Sequence, residues 1–105
     1  MAVEHYVLVL RLKPGMVADA ERELAAGPPF DPAAVGLSSH AAYLSDDEIY
    51  LQFEGQAAHS TAVQLARKHL VEVSRWQTIV SGLPTRVAEV PPDARCLYHW
   101  QAGDH

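Results

Sequence analysis

The sequence predicts a single α+β domain built in the order β-α-β-β-α-β. Three observations carry this. The chain has 105 residues, which is one domain's length. Residues 3–12, 37–45, 48–54 and 95–101 are rich in β-branched, aliphatic and aromatic side chains and alternate with period two. Residues 16–26 and 56–82 instead carry apolar residues at steps of three and four.

In the first strand, Tyr6, Leu8, Leu10 and Leu12 share one face and His5, Val7, Val9 and Arg11 the other. Both faces are largely apolar, so both need cover. Lys13-Pro14-Gly15 is a turn, and the helix over 16–26 stops at Gly27-Pro28-Pro29. Residues 27–36 read as a loop anchored by Phe30. Residues 37–45 and 48–54 flank Asp46-Asp47, a polar two-residue turn, and form a hairpin. The apolar stripe of 56–82 runs through Ala62, Leu65, Ala66, His69, Leu70, Val73, Trp76 and Val80. A straight helix of that length would extend ~40 Å, longer than the sheet beneath it, so an interruption is expected near 69–74. Residues 84–94, with Pro91-Pro92, read as a loop holding a short extended piece at 87–90. The strand 95–101 is expected to close the sheet with Cys96, Tyr98 and Trp100 on one face, and the tail from Ala102 to fray.

This order is that of the ferredoxin-like split unit, one four-stranded antiparallel sheet with helices on one face. Its other face, with Val7, Val9, Ala42 and Leu44, would be left in water. A homodimer in which two sheets pack face to face into an α/β barrel buries it, and such a barrel has room for a ligand cavity.

Composition excludes several function classes. Eight Lys+Arg against thirteen Asp+Glu give a net charge of −5, which argues against nucleic acid and anionic membranes as partners. The longest apolar run, Tyr6–Leu10, is far short of the ~20 residues that span a bilayer. No leader peptide is visible, and one Cys makes no internal disulfide, so a cytoplasmic protein is expected. No His-x-x-x-His pair, Cys cluster or Glu-x-x-His motif occurs, so neither metal nor cofactor is expected. Cys96 lies in an apolar strand, where thiols are usually inert.

Among the six histidines, His40 is the main candidate for chemistry. A histidine on a strand that lines a cavity can move protons near neutral pH or donate to an enolate. Alternation groups it with Ser38, and with Tyr50 and Gln52 on the neighbouring strand as donors to a carbonyl-rich ligand. Arg11 offers a cation at the end of the first strand. It stands ~20 Å from His5, so one small ligand cannot reach both. His59 reads as exposed, His69 as a packing or break-point residue, and His99 and Trp100 as lining a cavity or sealing a dimer. Trp76 reads as core.

The segments VLVLRLKPG (7–15), VGLSSHAAYLSDDEIYLQFEG (35–55), ARKHLVEV (66–73) and CLYHW (96–100) resemble the tetracenomycin-type aromatic polyketide cyclases, of the dimeric α/β-barrel superfamily. The resemblance is collinear over most of the chain, with one small insertion in the hairpin. It implies a homodimer whose cavity between sheet and helices binds an aromatic polyketide intermediate. There it would promote aldol cyclisation and dehydration without metal or organic cofactor, alone or with a polyketide synthase complex. In this alignment Arg11 matches. The family has arginine where this chain has His40, histidine at Gln52, and a His-Asp pair at about residues 26–28. The reading is therefore His40 as the catalytic residue, with Arg11, Tyr50, Gln52 and Trp100 binding substrate. Two alternatives stand beside it. One is a cofactor-independent monooxygenase on the same fold; the other is a non-catalytic polyketide-binding or assembly subunit.

Overall fold

The structure is a computed structural model in which residues 3–28, 30–71 and 74–103 are described. The elements follow the chain as β1 (Glu4–Arg11), α1 (Val17–Leu24), β2 (Leu37–Ser45), β3 (Glu48–Gly55), α2 (Ala58–Val71), α3 (Ser74–Ile79), β4 (Thr85–Val87) and β5 (Arg95–Gln101). The apolar stripe of 56–82 carries α2 and α3; the interruption expected near 69–74 falls at residues 72–73, which lie outside the described residues.

The strands form one sheet of five, in the order β4-β1-β3-β2-β5, with every neighbouring pair antiparallel. The α+β class holds, but the four-stranded ferredoxin-like sheet does not. The place beside β1 is taken by the short β4, and the final strand pairs with β2 at the opposite edge. The period-two pattern of 95–101 announces a strand but carries no information about its neighbour. A three-residue strand is also too short to show a period.

Register decides which residues face the helices. Tyr6, Leu8, Leu10 and Leu12 of the first strand segment are buried in two adjoining clusters. Leu12, Ala20, Leu24, Trp76, Ile79 and Val80 pack in one, and Phe53, Ala58 and Ala62 in the other. Ala42 stands opposite Leu51 and Leu44 opposite Ile49, so both lie under the helices rather than on the open face. Ala41 and Tyr43, opposite Gln52 and Tyr50, share the other face with Val7 and Val9. An irregularity between Ala42 and Tyr43 sets Tyr98 opposite Ala42 but Cys96 opposite Tyr43. Leu97 is the extra residue, so Cys96 leaves the face of Tyr98 and Trp100. Cys96 is exposed, not enclosed in an apolar strand.

The fifth strand has a consequence for the face without helices. β4 and β5 occupy opposite edges, four strand spacings or ~19 Å apart. Residues 88–94 therefore cross the whole sheet, a distance their backbone reach of ~3.3 Å per residue allows. They cross the face away from the helices, where Glu89, Val90, Pro91, Pro92 and Ala94 border a groove with His5, Tyr43 and Gln52. Val7 and Ala41 are fully buried although no helix covers them. The prolines suit this strap, because they hold an extended backbone and have no N–H to leave unpaired.

Gly55 ends β3 opposite both Glu4 and Leu37. A Cβ there would stand 3.0 Å from the Gly36 carbonyl oxygen and 3.2 Å from the Leu37 Cα. Both obstacles are backbone, so relief requires shifting β2. Gly55→Ala is expected to cost about 1–3 kcal/mol, the range of overpacking strain, measured as a lower midpoint in urea unfolding with unchanged slope.

Candidate active site

The β2 strand carries alternating side chains, and its fourth residue falls on the helix-covered face. His40 stands opposite Phe53 of β3 and Trp100 of β5. Its exposure is 0%, and it is the one polar side chain in the buried set among the described residues. An imidazole removed from water must have both nitrogens bonded. Nδ1–H donates to the Gln52 carbonyl at 2.8 Å, and Nε2 accepts the Tyr98 hydroxyl at 2.6 Å. A carbonyl can only accept, which assigns the proton to Nδ1 and leaves the lone pair on Nε2 for the phenol. The ring also meets Phe53, Phe30 and Tyr98, with centroids 4.7, 4.9 and 5.3 Å away.

Burial governs the charge state of both partners. Desolvation pushes the His40 imidazole down to about 4, only partly opposed by its bond to the Gln52 carbonyl. The Tyr98 phenol is driven well above its ordinary value of 10.0 by the same removal from water. At neutral pH the pair is uncharged, a phenol O–H aimed at a lone pair of fixed tautomer.

His40 and Tyr98 border a cavity of about 50 Å³ between the sheet and the helices. Its remaining walls are apolar, among them Leu8, Leu24, Phe30, Leu51, Ala66 and Trp76. Trp76, read from the sequence as core, packs in the first cluster and also forms part of this wall.

The other sequence-derived candidates are distributed differently. Tyr50 and Gln52 point to the strap-covered face, because they pair with Tyr43 and Ala41. They are separated from the His40 ring by the sheet itself, and Gln52 reaches His40 only through its backbone carbonyl. On its own face the Gln52 amide donates to Glu54 at 3.2 Å and accepts from Tyr43 at 3.4 Å, while His5 donates to Glu54 at 3.2 Å. The Tyr50 hydroxyl donates to Glu48 at 3.3 Å. Burial and the neighbouring carboxylates raise the phenols of Tyr43 and Tyr50, so neither is a ready base. Arg11 is exposed opposite Glu48 on that same face, away from the cavity. Trp100 is directly opposite His40 and packs at the edge of the second cluster, outside the cavity wall. His59 stacks on Tyr6 with centroids 4.7 Å apart, and the side chain of His69 lies outside the described residues.

Sequence reasoning missed Tyr98. It was visible as an aromatic on the last strand, but only the β2–β5 pairing brings it to His40. Among the described residues no group of three or more His, Cys, Asp or Glu is placed to hold a metal ion, and no helix is long and apolar enough to cross a membrane.

The depressed imidazole makes stability depend on pH with a defined sign. Protonating His40 favours the unfolded chain, where its value is the ordinary 6.5 against about 4 when folded. Its contribution is complete above pH ~6.5 and is lost as pH falls toward 4, by roughly 3 kcal/mol in all. Urea unfolding at pH 7 and pH 4.5 should show this loss, and His40→Gln should remove that component of it. In comparisons with known proteins, no family model, no curated protein and no solved structure matches the chain.

Proposed function

We propose that this protein is a cofactor-free polyketide cyclase or aromatase that moves a proton through Tyr98 and His40. The observation that carries the reading is the uncharged Tyr98–His40 pair set in the wall of an otherwise apolar cavity. The collinear resemblance to the tetracenomycin-type cyclases supports the substrate class, an aromatic or poly-β-ketone intermediate. The side chains of Arg11, Tyr50, Gln52 and Trp100 are not among this cavity's walls, and Gln52 serves the pair through its backbone carbonyl.

In the proposed reaction, the Tyr98 oxygen takes a proton from the carbon between two ketones as its own proton passes to His40 Nε2. The enolate attacks a second carbonyl and forms the carbon–carbon bond. The imidazolium returns its proton through Tyr98 to the new alkoxide, and loss of water completes the ring. An imidazolium in a dry cavity is costly by itself, and the enolate formed beside it offsets that cost at low dielectric. The Gln52 carbonyl, already bonded to Nδ1–H, accepts more strongly when the ring is charged.

The reading includes a homodimer acting in the cytoplasm, alone or beside a polyketide synthase. Val9, Tyr43 and Tyr50 remain partly exposed on the sheet face next to the strap, and a second copy packed there would cover them. Sedimentation equilibrium is expected to return twice the mass of one chain; a monomer at micromolar concentration would remove the dimer from the reading.

Turnover of a linear aromatic polyketone should fall by about 10²-fold or more in Tyr98→Phe and His40→Leu, the usual share of general acid–base catalysis. Circular dichroism checks that both variants fold. Turnover that stops without dioxygen would instead mark a monooxygenase, and binding without product a carrier subunit.

A further inference from the structure

The cavity of about 50 Å³ is too small for a fused-ring ligand, since ligand sites usually offer ~300–1,000 Å³. A second space adjoins it. Between α2 and β4 lies an open groove of about 400 Å³, bordered by Tyr6, Leu8, Val63, Ala66, Leu83 and Pro84. Leu8 and Ala66 are walls of both the groove and the buried cavity. One layer of side chains therefore separates the two.

The groove is apolar but its rim is cationic. Arg67 of α2 and Arg86 of β4 both border it. Arg86 stands opposite Leu8 on the helix side of the sheet, with its guanidinium carbon 4.6 Å from the centroid of Tyr6. Among the described residues neither arginine forms an ion pair. In a chain of net charge −5, two guanidinium groups at the rim of an apolar groove, without an ion pair among the described residues, are a local inversion of sign. No carboxylate lies among the groove's lining residues to neutralise them. Leu83 at 85% and Val63 at 47% exposure hold apolar surface open to water at the same rim.

We infer that this groove is the mouth of the cavity and that Arg67 and Arg86 select a ligand with an apolar body and one anionic group, a carboxylate or a phosphate. The anion pairs with the guanidinium groups at the rim. The apolar body lies along Tyr6, Val63 and Leu83, and its inner end turns the Leu8 side chain aside and passes Ala66 to reach Tyr98. This rests on the cyclase reading for what happens at Tyr98, and on the groove alone for which ligands enter. It narrows the substrate to an acidic aromatic or polyketone over its neutral ester or amide.

The test compares 2-naphthoate, 2-naphthyl phosphate and 2-naphthamide, titrated into the ¹⁵N-labelled full chain and followed by NMR. Both anions are expected to bind roughly fivefold or more tightly than the amide, a modest factor because the rim is exposed to solvent. Their shifts should cluster at Leu8, Val63, Ala66 and Arg86. A larger advantage for the phosphate than the carboxylate, or the reverse, identifies which anion the mouth prefers. In the Arg67→Gln, Arg86→Gln double variant the three ligands should bind alike. Val63→Trp, at an exposed position, should block all three without loss of fold. Equal binding of anion and amide by the native chain, an unchanged preference in the double variant, or shifts confined to another surface would each overturn the proposal. His40→Leu and Tyr98→Phe should keep the anion preference. If the preference is seen but no polyketone turns over, the mouth stands and the cyclase reading falls. If turnover is seen with no effect of the arginines, the reverse holds.

Discussion

Burying one imidazole ties three strands together. His40 stands on β2, its Nδ1–H is held by the backbone of β3, and its Nε2 by a side chain of β5. Each bond satisfies a group that would otherwise cost about 1–3 kcal/mol unpaired in the interior. The arrangement specifies the register of β5, because slipping it by one residue would turn Tyr98 to the other face and strand the Nε2 lone pair. The same two bonds decide the tautomer and hold the phenol at the cavity wall, while burial keeps the ring neutral. Stability and candidate chemistry thus rest on one constraint.

The two faces of the sheet are covered by different means, and that shapes where function can reside. The helix side is filled with aliphatic and aromatic groups from α1, α2 and α3, and its cavity lies among them. The other side is crossed by the strap of 88–94 and carries hydrogen-bonded polar side chains, Tyr43, Gln52, Glu54 and His5, at its surface. Low dielectric makes proton transfer steerable on the first side. On the second, partial burial and nearby acidic groups leave the phenols of Tyr43 and Tyr50 reluctant to ionise. An open groove between α2 and β4, rimmed by arginines, shares Leu8 and Ala66 with the cavity wall.

Much of the fold was legible in the sequence. The strands expected at 3–12, 37–45 and 48–54, the hairpin around Asp46-Asp47 and a first helix within 16–26 all follow from local pattern, and the structure has them at Glu4–Arg11, Leu37–Ser45, Glu48–Gly55 and Val17–Leu24. Asp46 adopts φ 54°, the conformation a tight hairpin turn demands and Asp tolerates. His40 also stood out, as a histidine on a strand expected to line a cavity. What failed was the assignment of faces between strands and the make-up of the sheet beyond the hairpin. Ala42 and Leu44 were assigned to the open face, and His40 was grouped with Tyr50 and Gln52. Alternation separates the two faces of one strand but does not say which face of the next strand meets it.

By itself the sequence determined most of the elements, the net negative charge and the candidate histidine, because propensity, period and turn chemistry act over a few residues. Only the tertiary structure decided that the sheet has five strands, that the last of them lies beside β2, and that Tyr98 rather than Tyr50 reaches His40. The physical reason is that strand pairing is stabilised by contacts between residues far apart in the chain, as His40 and Tyr98 or Val7 and Val87 are. Such pairings are chosen by which combination of registers satisfies every buried donor and acceptor together, and no local stretch of sequence contains that combination.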